Sequence, residues 1–99
     1  MIYNGVIRKF DLVVEDNGVF TFELLVETEN CYMNCGHYIF AKGELEGFIQ
    51  DLMALLGVKA MSDIINTAVR VGRDEFGELM IGHLFNNNWI HYKDYMKGC

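Results

Sequence analysis

Three side chains able to bind a metal or attack a substrate fall close together in this sequence: Cys31, Cys35 and His37. Thiolate and imidazole are the preferred ligands of zinc, and here they would share one loop. A structural zinc site needs four ligands, however, and the Cys-x3-Cys-x-His spacing matches no common arrangement, so the fourth would have to come from Cys99, His83 or His91. A thiol beside a histidine also supplies two parts of a nucleophilic site, but no orienting acid accompanies this pair. The simpler reading is a hairpin loop that contains two thiols. His83 in a strand and His91 in the tail read as packed or hydrogen-bonded residues. The carboxylate pairs Glu27/Glu29 and Asp74/Glu75 read as a solvated strand face and a turn, not as acid and base. Gly36, Gly43 and Gly47 flank a helix start of the kind that cradles a phosphate, but Glu44 and Glu46 follow at once and repel an anion. The expectation is therefore a protein that is not an enzyme and carries no cofactor.

The elements that would position these residues follow from periodicity. Residues 5–15 alternate, with Val6, Phe10, Leu12 and Val14 on one face and Lys9, Asp11 and Glu15 on the other. Asp16-Asn17-Gly18-Val19 then predicts a tight primed turn, and the returning strand puts Phe20, Phe22, Leu24 and Val26 inward. Its outward residues, Thr21, Glu23, Leu25, Glu27 and Glu29, form an acidic ladder. Residues 30–36 read as a loop, with Tyr32 and Met33 at its tip, and His37 to Ala41 as a short third strand. From Leu45 to Leu56 apolar residues recur at three and four, which predicts an amphipathic helix stopped by Gly57 and led by the acids Glu44 and Glu46. Ser62 to Ile65 reads as one short helical turn, Thr67 to Arg73 as a fourth strand and Glu78 to Phe85 as a fifth. The aromatic tail, Trp89, Tyr92 and Tyr95, folds back. The order βββαββ predicts a single α+β domain over 1–99, a mostly antiparallel five-stranded sheet with the helix across one face. Ile7, Val13, Leu25, Met80 and Leu84 would lie on the other face, either covered by a homodimer or another protein or exposed singly in the ordinary way.

Composition narrows the function classes. The chain has 99 residues, 52% hydrophobic and 22% charged, the balance of one compact core. Its longest apolar run, Leu52 to Leu56, is far too short to span a bilayer, and the N-terminal residues lack the features of a secretory signal. No membrane association and a cytoplasmic location are expected, in keeping with only three cysteines. The net charge is -6, with 14 acidic against 8 basic residues and the basic ones scattered, which disfavours direct nucleic acid binding. An acidic surface suits a basic partner protein, and it also keeps a protein soluble.

Gly57-Val58, Val69-Arg70-Val71, Ile81-Gly82-His83-Leu84 and Trp89 together resemble a pattern in small accessory proteins of phages and prophages. In that pattern a Gly-Val pair precedes an Arg-Val strand, an Ile-Gly-His and a Trp. The likeness covers the C-terminal third of the chain; the cysteine loop and the Lys42-Gly43 helix entry have no counterpart. In such proteins Gly82, His83 and Trp89 would lock the last strand onto the core. The resemblance implies a mobile-element setting, where small acidic proteins of the anti-CRISPR kind block a host defence complex. On that reading Glu15, Asp16, Glu23, Glu27 and Glu29 would meet a basic surface of the host protein, anchored by Tyr32 or Met33. Two other classes stay open: an oligomeric sponge that sequesters a signalling nucleotide with Arg70 or Arg73, and a structural accessory protein using the Cys31, Cys35 and His37 loop for a metal.

Overall fold

The protein is an α+β domain, and its structure, a computed structural model, describes residues 1–96. β1 (Ile2–Val14) and β2 (Phe20–Thr28) form the expected hairpin. Its turn is not the two-residue primed kind. The Glu15 amide donates to the Val19 carbonyl and the Gly18 amide to the Glu15 carbonyl, each at 2.8 Å, and Gly18 rather than Asn17 takes a positive φ of 85°. Asn17 instead accepts the Val19 amide on its side-chain oxygen at 3.1 Å, an Asx turn. The same loop recurs at Asp74–Glu78, with Gly77 at φ 79°.

Among the described residues six strands form one antiparallel sheet in the order β3-β2-β1-β4-β5-β6. Here β3 is Tyr32–Asn34, β4 is Ala68–Arg73, β5 is Leu79–Gly82 and β6 is Trp89–His91. The third strand thus lies earlier than the pattern suggested, in the stretch read as a loop. Residues 35–41 run on beside β2 without a regular ladder, although the amides of Cys35 and His37 donate to Leu24 and Phe22 carbonyls at 2.8 and 2.6 Å. The fifth strand ends at Gly82 because His83 turns the chain, and the tail supplies a sixth strand through Trp89.

Register in β1 departs from simple alternation. Ile7 opposes Val26 and Lys9 opposes Leu25, so Arg8 is an extra residue, a β-bulge. The bulge resets the phase, and Ile7, expected on the open face, joins Phe10 in the core. Met80, also assigned to the open face, is only 9% exposed, whereas Val13, Leu25 and Leu84 are partly exposed.

The helix, α1 (Glu44–Leu56), covers the other face with Phe48, Ile49 and Leu52 buried. Gly57 closes it with the Schellman pair, its amide to Ala54 and that of Val58 to Met53. Between helix and sheet lies an aromatic cluster: Phe22 is 5.0 Å from Phe48, Phe48 is 5.1 Å from Tyr92, and Tyr92 is 4.9 Å from Tyr38. Such tilted and edge-on pairs add stability beyond their buried area. Tyr92 is fully buried, and its hydroxyl donates to the Cys35 carbonyl at 2.7 Å, which satisfies this buried hydroxyl and ties the tail to the segment after β3.

Two glycines give opposite expectations. A Cβ on Gly82 would lie 2.5 Å from Cε3 of Trp89, which is stacked on that backbone. Gly82→Ala is expected to destabilise the fold by about 1–3 kcal/mol through overpacking. Gly47 lies in α1 with nothing within 4 Å of the added carbon, and Gly47→Ala is expected to stabilise by about 0.5–1 kcal/mol. Urea denaturation of the two variants checks both signs.

Candidate functional site

On the sheet face opposite the helix, the predicted acidic ladder is built but not bare. Asp11 and Glu23 stand directly across from each other, a like-charge pair that alone would repel. Lys9 resolves it, its Nζ 2.8 Å from Glu23. Arg8, displaced by the bulge, places Nε 2.8 Å from Glu27 and Nη1 2.8 Å from the Asn66 side chain. The hydrogen bond from Lys9 lowers the Glu23 pKa, that from Arg8 lowers the Glu27 pKa, and Glu23 in turn raises that of Lys9. Tyr32 is exposed opposite Glu27, whereas Met33, opposite Val26, packs against the core and is no loop-tip anchor. Glu29 is exposed in the turn after β2.

At the far end of the hairpin, Glu15 and Asp16 border a cleft of about 400 Å³ shared with Asn17, Val19, Thr21, His37 and Ile39. His37 adopts φ 63°, uncommon for a residue with a side chain, and its Nδ1 lies 2.5 Å from the Glu15 carboxylate. A carboxylate on Nδ1 leaves Nε2 directed elsewhere, half of a general-base relay. No nucleophile completes it among the described residues: the Thr21 hydroxyl donates to the Tyr38 carbonyl at 2.7 Å. Nor do the cysteines converge with His37. Cys35 is buried, with Sγ toward the Met33 carbonyl at 3.7 Å and its thiol pKa pushed up to about 11 by that burial, while Cys31 is exposed beside Thr28. Among the described residues no group of three or more His, Cys, Asp or Glu could hold a metal ion. Cys99 lies outside the described residues.

The arginines considered for a nucleotide serve the backbone instead. Arg70 donates from Nε to the His83 carbonyl at 2.8 Å and from Nη2 to the Asn86 carbonyl, with its guanidinium 4.7 Å from the Trp89 ring. Arg73 donates to the Gly77 carbonyl at 3.0 Å. His83 Nδ1 accepts the Phe85 amide at 3.1 Å, so Arg70, Gly82, His83 and Trp89 form one bracket that holds the loop before β6.

One polar cluster escaped the sequence reading. Asp74 accepts the amides of Phe76 and Glu78 on Oδ1 at 2.9 and 3.0 Å. Its Oδ2 is buried, 3.4 Å from Lys93 Nζ and 3.7 Å from His91 Nδ1, with no well-aligned hydrogen bond to either. The signal was present as the Asp-x-x-Gly turn, but its neighbours His91 and Lys93 come from β6 and the 3-10 turn Tyr92–Tyr95 that follows it, which periodicity did not reveal.

No protein-family model matches this chain, and no curated protein or solved structure matches it either.

Two outcomes follow from these environments. Asp74 has its pKa lowered, first by the Glu78 amide, so its contribution to stability is present above the unfolded value near pH ~4 and is lost as pH falls through the folded value. Asp74→Asn is expected to lower the Tm at neutral pH and to flatten the acid limb of the Tm profile; an unaltered acid limb would show the turn to be indifferent to this charge. Alkylation of the native protein at pH 8 is expected to label Cys31 rapidly and Cys35 only after denaturant is added, as read by peptide mapping.

Proposed function

We propose that this chain is a non-catalytic binding protein that inhibits a host defence complex by occupying one of its basic surfaces. The observation that carries this reading is the open face of the β1–β2–β3 sheet, where Glu23, Glu27 and Tyr32 stand on paired strands with Glu29 and Asp16 exposed at the hairpin's two ends. Strands hold these groups at fixed spacing, so the array is preorganised for a partner instead of being ordered at the moment of binding. The internal pairs with Lys9 and Arg8 lie in solvent, where an ion pair contributes little. Arginines and lysines of a nucleic-acid-binding cleft can replace them at small cost. Tyr32, 61% exposed beside Glu27, supplies the amphipathic side chain that interface centres favour.

The partner class comes from the likeness of the C-terminal third to phage accessory proteins, and the contact from the charge on this face. The test is a pulldown with the tagged protein from lysate of a defence-competent bacterium, washed at low and at moderate salt. A nucleic-acid-binding defence protein is expected to be retained at low salt, released by more than tenfold on raising the salt, and lost with Glu23→Lys combined with Glu27→Lys. Retention that ignores both the salt and the charge reversal would refute the acidic contact.

A further inference from the structure

The outer edge of β1 is paired over only half its length. β4 pairs with Ile2–Val6, and Ile7 completes the ladder by donating to the Thr67 carbonyl at 3.0 Å and accepting the Asn66 amide at 2.7 Å. Beyond the bulge at Arg8 no strand adjoins this edge among the described residues. The direction of its backbone groups follows from the hairpin. The Glu15 amide bonds across to Val19, so by antiparallel alternation Val13, Asp11 and Lys9 also face β2, while Phe10, Leu12 and Val14 turn their amides and carbonyls outward. Among the described residues none of these three makes a backbone hydrogen bond outside the hairpin. The segment has no proline and no second bulge, the usual protections of an open edge. Apolar surface lies beside it: Leu12 is 39% and Val14 67% exposed, and a groove of about 440 Å³ runs between Leu12, Phe20, Ile49 and Met61.

We propose that this edge pairs with the same edge of a second copy, antiparallel about a twofold axis at Leu12, joining two sheets into one. The sequence of the edge selects this register. Outward-facing residues must oppose one another, which leaves three central alignments. Leu12 opposite the partner's Phe10 puts Asp11 on the partner's Asp11, and Leu12 opposite the partner's Val14 puts Asp11 on the partner's Glu15. Both are like-charge pairs directly across a ladder, which are destabilising. Leu12 opposite the partner's Leu12 instead sets Lys9 against the partner's Glu15 and Arg8 against the partner's Asp16, with Asp11 facing the partner's Val13. On the helix side the same register joins Phe10 to the partner's Val14 and Leu12 to the partner's Leu12, and delivers these apolar side chains to the groove. Self-complementarity of this kind is what an isologous interface requires. Glu23, Glu27, Glu29 and Tyr32 stay accessible in both copies while Asp16 is engaged at the edge, and the inference does not rest on the proposed function.

Sedimentation velocity of the full chain over a wide concentration range tests it. A monomer–dimer equilibrium is expected, weakened at least tenfold by Leu12→Lys, which places two like charges on the axis at a site where circular dichroism will show the fold intact. Lys9→Glu alone is expected to weaken the dimer and Lys9→Glu with Glu15→Lys to restore it, because the swap exchanges the two ends of one intermolecular pair. Hydrogen exchange at Phe10, Leu12 and Val14 is expected to slow as the dimer forms. A chain that stays monomeric at high concentration, or a dimer indifferent to Leu12→Lys, overturns the proposal. A dimer lost with Leu12→Lys but not restored by the double swap overturns the register.

Discussion

Arg8 is the residue that β1 carries in excess of its partner strand, and the arrangement of both sheet faces depends on it. Ahead of the bulge Ile7 faces the helix; after it Phe10 does. Without the extra residue the two halves of β1 would be out of phase, and either Ile7 or Phe10 would leave the core together with its half of the strand. Pairing with β4 ends at the same place, because Ala68, opposite Val6, is the first residue of β4 and the chain before it turns at Asn66, φ 71°. Past this point the β1 side of the hairpin has no neighbouring strand among the described residues. The same residue then holds its own bend in place, since one guanidinium reaches Glu27 on β2 and Asn66 just before β4.

Closure of the domain rests on Tyr92. The tail must return across the helix-facing side of the sheet, and a buried hydroxyl there is costly unless bonded. The Cys35 carbonyl answers that need, and because residues 35–41 lack a regular ladder, Tyr92 gives them part of the order that a strand would have supplied. Phe40 and Phe48 fill the space between at 4.9 Å from each other, so segment, helix and tail meet in one cluster. Tyr95 adds a second tie, its hydroxyl 2.5 Å from Asp51 on α1, and burial first and that carboxylate second raise its pKa.

How much of this could be read from residue types alone varies with the physics involved. β2, α1 and β4 have clean periods, and they and the β1–β2 hairpin appear close to where expected. The bulge left no trace because Val6 and Ile7 are both apolar, so either phase of alternation looked acceptable. β3 was hidden for a different reason: Tyr32-Met33-Asn34 is too short for a period to show, and its edge position relaxes the demand for apolar residues. β6 is defined by Trp89 lying on Gly82 and by Arg70 over the indole, contacts between distant parts of the chain. The acids of the candidate site were legible as a ladder. Their cations were not, because Lys9 reaches Glu23 diagonally and Arg8 reaches Glu27 only through the bulge.

Those two cations link the two surfaces argued above. In one copy Lys9 and Arg8 neutralise Glu23 and Glu27 on the open face. In the proposed twofold register they would stand opposite the partner's Glu15 and Asp16 at the edge, and each charge would be shared between an internal and an external carboxylate. Were both proposals to hold, drawing Lys9 and Arg8 toward the edge would leave Glu23 and Glu27 less compensated and strengthen the field offered to a basic partner. Thermodynamic reciprocity would then make binding of such a partner at Glu23 and Glu27 favour pairing of the two copies.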